Sequence, residues 1–312
     1  MYHIPTTKEA KTDIAWALQR LFYSLQIGTA AISPQELTKS FSWWDTKHLF
    51  EGQDAVEVLK KLLEQLDTRM KGSPVENSLS DLFTGKMKTY ISCTNVDYES
   101  SRTEEFWDLQ LNVSNNKSLN DSFREYIEVD TLEGELQYFA GEGYGLQDAK
   151  KGIIFESFPP VLCLSLKRFQ YDSGGVITVK LHDYYEFPEE FDATPYLSAD
   201  AEKSEPWTYL LVGIIVHDGS IDAGRSYAFM RPAKDGQFYK FDDDRVTPAT
   251  LKEAMNQNFG GGDNNPIGGI KSAYLLTYIR KSRLDHVFGE TTKDDLPEHL
   301  TDFGIIPLVF TR

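Results

Sequence analysis

Residues Gly213–Asp244 read GIIVHDGSIDAGRSYAFMRPAKDGQFYKFDDD. An apolar run, Ile214 to Val216, leads into a polar turn. A second run, Tyr227 to Met230, is followed by Pro232 and a reversal at Lys234-Asp235-Gly236. A third run closes on Phe241 before three aspartates. β-Branched and aromatic residues between Gly- and Asp-rich breaks predict strand, turn, strand, turn, strand, which is an antiparallel meander. Gly224 carries no side chain, so a ligand can approach the backbone closely there. Arg225 and Asp242 are seventeen residues apart, a spacing suited to two neighbouring strands joined by a short turn.

Outside this stretch the chain is long enough, at 312 residues, to bury a substantial core in one large domain or two small ones. Hydrophobic residues make up 40% and aromatic residues 13%, which marks a globular chain rather than a disordered one. The net charge of −16 argues against a nucleic-acid partner held by phosphate contacts. It suits a basic protein partner, and equally a merely soluble surface. Two cysteines, Cys93 and Cys163, cannot form a disulfide framework. No apolar run is long enough to cross a bilayer, and MYHIPTTKEAK lacks a signal-peptide core. These features predict a reducing compartment, cytoplasmic or nuclear, with no membrane partner.

The first part reads as helical. Ile14, Ala17, Leu18, Leu21, Phe22 and Leu25 follow the 3.6-residue period and predict one buried stripe. Ser33 and Pro34 predict the cap and first position of a short helix. A longer helix opens at Gln53-Asp54-Ala55-Val56-Glu57, with Ala55, Val58, Leu59, Leu62, Leu63 and Leu66 as its apolar stripe. Asp54 and Glu57 lie three apart on its first turn, where negative charge is favourable. A solvated, dipole-matched first turn accounts for both.

After about Phe83 the pattern changes to strands. Met87 and Ile91 fall on one face and Tyr90 on the other. Phe106 to Val113 alternates, with Leu109, Leu111 and Val113 at period-2 positions. Ser118 to Tyr126 returns to helix. Leu136-Gln137-Tyr138 and Gly152 to Phe155 predict further strands, and Val161 to Phe169 predicts an apolar-rich one. The switch of period, without regular alternation of strands and long helices, predicts an α+β fold with a mainly antiparallel sheet.

Several motifs together resemble the catalytic domain of the ubiquitin-specific proteases, papain-like cysteine proteases that remove ubiquitin. Gln53, Asp54, Ala55 and Glu57 match a motif whose acids, in that family, meet the basic tail of ubiquitin. Val58 replaces the usual Phe or Leu. Phe106 to Leu111, Gly145 to Gly152, Pro159 to Leu162, Leu166 to Phe169 and Tyr171-Asp172 match the fingers and the return to the palm. TKSFSW (Thr38 to Trp43), the GKM stretch from Gly85 to Tyr98, and KFDDD (Lys240 to Asp244) are similar to the branch of the herpesvirus-associated ubiquitin-specific protease and its fungal relatives. The resemblance implies a thumb at about 1–84, fingers at about 85–155 and a palm at about 156–284, with 285–312 a tail or the start of a linker. It implies ubiquitin or ubiquitinated proteins as partners. It also implies that Gln53, Asp54, Glu57, Arg168, Phe169, His217 and Gly224 serve ubiquitin binding.

In that family a Gly-His-Tyr motif supplies the general base, and a later Asp or Asn orients it. Here His217 and Gly219 match the preceding His-x-Gly, and Asp242 falls where the orienting acid belongs. Gly224-Arg225-Ser226 stands in place of Gly-His-Tyr. A guanidinium stays protonated and cannot take a proton from a thiol. The family's nucleophile lies in a Gly-x-x-Asn-x-Gly-x-x-Cys-Tyr box, and neither Cys93 nor Cys163 has that box around it. The expectation is a protein that binds ubiquitin and is inactive as given, in which Arg225→His alone brings no cleavage. The alternative is a thiol-dependent deubiquitinase whose Cys segment is absent from this sequence. Many family members clamp a zinc with four finger cysteines. Two cysteines cannot form that site, so neither metal nor cofactor is expected, and Cys163, between Leu162 and Leu164, reads as a packed core thiol.

Overall fold

The computed structural model describes residues 1–7, 13–28, 32–41, 55–171, 178–220, 224–233, 236–261 and 271–301. The chain divides into two compact units: Met1–Leu79 with Gly289–Arg312, and Ser80–Phe288.

The first unit is helical. It comprises α1 (Ile14–Ile27), α2 (Gln35–Ser40), α3 (Ala55–Met70) and the start of α4 (Ser78–Phe83). Its core joins Ile14, Ala15 and Leu18 to Phe41, Leu66 and Met70. The buried line of α1 differs from the sequence expectation. Ile14, Ala17 and Leu18 are buried as expected, but the buried line continues through Ala15, Gln19 and Tyr23, while Phe22 and Leu25 remain 42% and 58% exposed. The cause is Gln19. Its amide donates to the carbonyls of Met1, Tyr2 and Ile4, so the face that carries it turns inward beneath the N-terminal segment. The donor side of the amide is satisfied there, which offsets part of the cost of burying it.

Asp13 starts α1. Its carboxylate accepts from the N–H groups of Ala15, Trp16 and Thr7 and from Arg69 Nη2 at 2.6 Å. Burial pushes its pKa up, but the bonds from Thr7 and Trp16 and the charge of Arg69 outweigh that, and the net shift is downward. Asp13→Ala is therefore expected to cost about 2 kcal/mol, from the lost cap and the stranded Arg69 partner. Because the folded pKa lies below the unfolded one, the contribution is complete above the ordinary Asp value and is lost as pH falls through the folded value. Urea unfolding at pH 7 and pH 3 tests this: the gap between native and variant must shrink at the lower pH.

At α2 the cap is set one residue later than expected. Gln35 N–H donates to Ser33 Oγ at 3.3 Å, and Pro34 itself sits at the cap position. The C-terminal residues Lys293–Asp295 and α8 (Glu298–Thr301) belong to this unit. Leu300 is buried with Tyr2 and Tyr23, and the Trp16 ring stacks on His299 at 3.9 Å.

The second unit is built on sheets. In chain order it holds β1 (Gly85–Cys93), β2 (Glu99–Phe106), β3 (Leu109–Asn112), α5 (Leu119–Tyr126), β4 (Asp130–Leu132), β5 (Tyr138–Phe139), β6 (Leu146–Gln147), β7 (Ala149–Ser157), β8 (Val161–Lys167), β9 (Phe169–Tyr171), β10 (Thr178–Lys180) and β11 (Glu190–Asp192). Then come β12 (Thr208–Gly219), β13 (Gly224–Met230), β14 (Phe238–Asp242), β15 (Arg245–Ala249), α6 (Leu251–Ala254), β16 (Lys271–Arg280) and α7 (Leu284–Val287). The large sheet runs β15-β14-β13-β12-β16-β8-β3, with β11 beside β12. A separate sheet runs β2-β1-β7-β4. All described pairs of strands are antiparallel except β3 with β8.

The run Phe106 to Val113, expected as one strand, breaks at Trp107-Asp108. The chain changes sheets there: β2 pairs with β1, and β3 pairs with β8. The stretch at Leu136 is a turn of 3-10 helix over Gly134–Leu136, and the strand begins only at Tyr138. The glycine before it, at φ +61°, favours the turn. A large aromatic core made from Phe106, Phe123, Phe155, Phe158, Phe187 and Phe191 holds α5 and both sheets together.

Candidate functional site

The meander expected for Gly213 to Asp244 is present as β12, β13 and β14, extended by β15. The register Ala228↔Phe241 brings the start of β13 to the end of β14. Arg225 Nη1 donates to Asp242 Oδ1 at 3.2 Å. Lys240 Nζ donates to Asp242 Oδ2 at 2.6 Å. One carboxylate thus carries two cations. Its pKa is lowered, first by the Lys240 hydrogen bond and further by the charges of Lys240, Arg225 and Arg245. The Tyr227 ring lies beneath both cations, 4.1 Å from Lys240 Nζ and 5.7 Å from Arg225 Cζ. Asp243 follows in the left-handed region at φ +55°, which an aspartate tolerates, and turns the chain into β15. Lys240 was legible, since two residues along a strand share a face with Asp242.

Next to this pair, His217 packs against Gly224. A Cβ on Gly224 would lie 2.2 Å from His217 Nε2. The space expected to admit a ligand is therefore filled on that side by an imidazole of the chain itself. Phe169 meets the same ring edge to face at 5.4 Å. Lys180 Nζ donates to the carbonyls of His217 and Gly219 at 3.0 and 2.9 Å. Burial, then the charge of Arg168, lower its pKa to about 8. Burial and then Lys180 lower that of His217. No spacing in the sequence marks Lys180 for this role, because β10 reaches β12 only through the fold.

Arg168 differs from its expected role as a contact residue. It is 0% exposed. Its guanidinium donates to the carbonyls of Ala273, Leu181, Asp183 and Phe259. A side chain so enclosed cannot reach a protein partner. It ties three segments of chain to the root of β9. Desolvation lowers its pKa to about 10.

Gln53 and Asp54 lie outside the described residues. Glu57, on the exposed side of α3, pairs with Lys61 at 2.6 Å, which lowers its pKa. Cys163 is buried in β8, and burial pushes its thiol up to about 12, the opposite of an activated nucleophile. Cys93 ends β1. At that end Asp148 forms a hub. Its carbonyl accepts from Thr94 N–H at 2.8 Å and its carboxylate from Gln137 Nε2 at 2.8 Å, beside the rings of Tyr98, Tyr138 and Tyr144. Polar bonds and aromatic contacts hold this tip together. Among the described residues no cluster of metal-ligand type occurs.

A helical unit followed by antiparallel sheets, with His-x-Gly at the end of β12 and an acid at the end of β14, is the α+β arrangement of a papain-like protease domain. The family profile "Ubiquitin carboxyl-terminal hydrolase" matches residues 2–278, and the chain belongs to that family. It is 48% identical over 309 residues to Ubiquitin carboxyl-terminal hydrolase 15 of Schizosaccharomyces pombe, covering 96% of this chain and 27% of that protein. It is 43% identical over 325 residues to Ubiquitin carboxyl-terminal hydrolase 15 of Saccharomyces cerevisiae, covering 96% and 26%. Ubiquitin C-terminal hydrolase 12 of Arabidopsis thaliana is 45% identical over 319 residues, covering 96% and 28%. The chain thus spans about a quarter of the length of these relatives. A solved structure of the yeast SAGA DUBm with an Sgf73 mutant shares the fold, with a TM-score of 0.67 at 24% identity over 86% of this chain and 58% of that one.

Proposed function

We propose that this domain recognises ubiquitin or ubiquitinated proteins and does not hydrolyse them. The observation that carries the reading is the Arg225–Asp242 ion pair at 3.2 Å. In the family's order of residues, Arg225 stands where the general base belongs, and its charge is fixed. The retained acid is committed to two cations rather than to an imidazole. Membership of the family supports ubiquitin as the partner. Arg225 is also 60% exposed, so its remaining donors are open to a carboxylate such as the C-terminus of free ubiquitin. The second reading, a working thiol hydrolase, is favoured by the names of the relatives. It requires some other base, and His217 is half-buried, with its ring against Gly224 and Phe169 and its carbonyl held by Lys180.

Titration with ubiquitin bearing a free or an amidated C-terminus tests the proposal. Native protein is expected to bind both and to turn over no ubiquitin–fluorophore conjugate. Arg225→Ala is expected to weaken the free form several-fold more than the amidated one. Equal losses remove the carboxylate contact alone. Binding of neither form removes the ubiquitin reading, and turnover by the native chain removes the inactive one.

A further inference from the structure

The wedge between α5 and β11 has a recognition geometry of its own, independent of the ubiquitin reading. Asn120, Arg124 and Ile127 line one side of a groove of about 490 Å³, and Pro188, Phe191 and Tyr196 line the other. Among the described residues β11 pairs with β12 alone. Leu211 N–H donates to the Glu189 carbonyl and Ala193 N–H to the Trp207 carbonyl. Odd-numbered residues of this segment therefore turn their main-chain groups toward β12, and even-numbered residues turn theirs outward.

That outer edge already pairs with main chain one step earlier. Glu186 N–H donates to the Lys117 carbonyl and Leu119 N–H to the Glu186 carbonyl, both at 2.8 Å. Pro188 interrupts the ladder, since it has no N–H and its carbonyl accepts from Tyr278 Oη at 2.6 Å. Beyond it the outward N–H and C=O groups of Glu190 and Asp192 have no main-chain partner among the described residues. Of the charged rim, Arg124 pairs with Asp121 and Glu190 with Lys281. Asp192 accepts from Thr194 N–H and has no cation partner among the described residues.

We propose that this groove takes a short extended segment of a partner protein, added as one strand to the outer edge of β11. Unpaired main-chain donors and acceptors at alternate residues select another main chain. Half-buried Ile127, in a lining shared with the buried Phe191 and Tyr196, receives one branched apolar side chain. Asp192 and the chain's net charge of −16 select lysine or arginine beside it. A second copy of this chain is the competing occupant. A third outcome is that the edge is simply blunted by its prolines against any strand.

The probes are three capped hexapeptides that alternate valine with lysine, serine or glutamate. Their binding to the 312-residue chain is followed by fluorescence polarisation. The expected order is lysine, serine, glutamate, with at least about tenfold between the first and last at low salt. Methylating alternate backbone nitrogens of the lysine peptide is expected to abolish binding to the native protein, which tests the ladder without a mutation. Glu190→Pro, which removes an outward N–H, is expected to weaken binding at least about tenfold, while Glu190→Gln keeps it within about threefold. Absence of binding to the native chain at millimolar peptide overturns the proposal, as does equal binding of the methylated peptide. Concentration-dependent dimerisation that Glu190→Pro abolishes would overturn it in favour of a second copy.

Discussion

Arg168→Met is expected to destabilise the second unit by about 3–5 kcal/mol, the range for removing one side of a buried, charged hydrogen-bond network. The guanidinium contributes at least four hydrogen bonds to carbonyls on β16, on the segment after β10 and on the segment after α6. Methionine replaces the aliphatic stem and has no donor. Those carbonyls would then lose a buried donor, although that of Phe259 keeps the Tyr185 N–H at 2.8 Å. For a unit of this size the loss corresponds to a fall in midpoint of about 10 °C. Lysine offers no rescue, because a point charge with three donors cannot span the same fork. Thermal unfolding followed by near-ultraviolet circular dichroism measures the effect. A cost below about 1 kcal/mol for Arg168→Met would show that the carbonyls find water or other donors, and the scaffold role would fail.

Gly224→Ala is the second large effect. The new methyl would stand 2.2 Å from His217 Nε2, 2.4 Å from Cε1 and 2.8 Å from the Ser220 carbonyl. Phe169 abuts the ring edge to face and limits its retreat on that side, while Lys180 holds the backbone of the same residue. Overpacking of this kind costs about 1–3 kcal/mol. The clash also pushes on the residue next to Arg225, so the Arg225–Asp242 pair is disturbed along with stability. His217→Ala should restore most of the loss in the double variant, because the obstructing ring is gone while the carbonyl contact remains. Chemical denaturation of both single variants and the pair gives the coupling directly. Additive losses would mean that backbone strain, rather than the imidazole, sets the cost of a side chain at 224.

The sequence by itself determined the α+β class, the meander and the pairing of Arg225 with Asp242. Strand period and turn chemistry are local, and a spacing of seventeen residues across one short turn leaves few alternatives. It also determined that Arg225 cannot serve as a base, since that follows from the pKa of a guanidinium alone. Only the tertiary structure decided which face of α1 is buried. Gln19 finds its three acceptors on a segment that periodicity does not see. The same holds for Arg168, which the resemblance assigns to ubiquitin binding within the expected strand Val161 to Phe169 and which proves to be an internal brace. Lys180 reaches β12 from 37 residues away, and a side chain at Gly224 would meet the His217 ring. Contacts between distant segments depend on how strands are ordered in the sheet, and that order is fixed by the burial of the whole aromatic core rather than by any short run of residues.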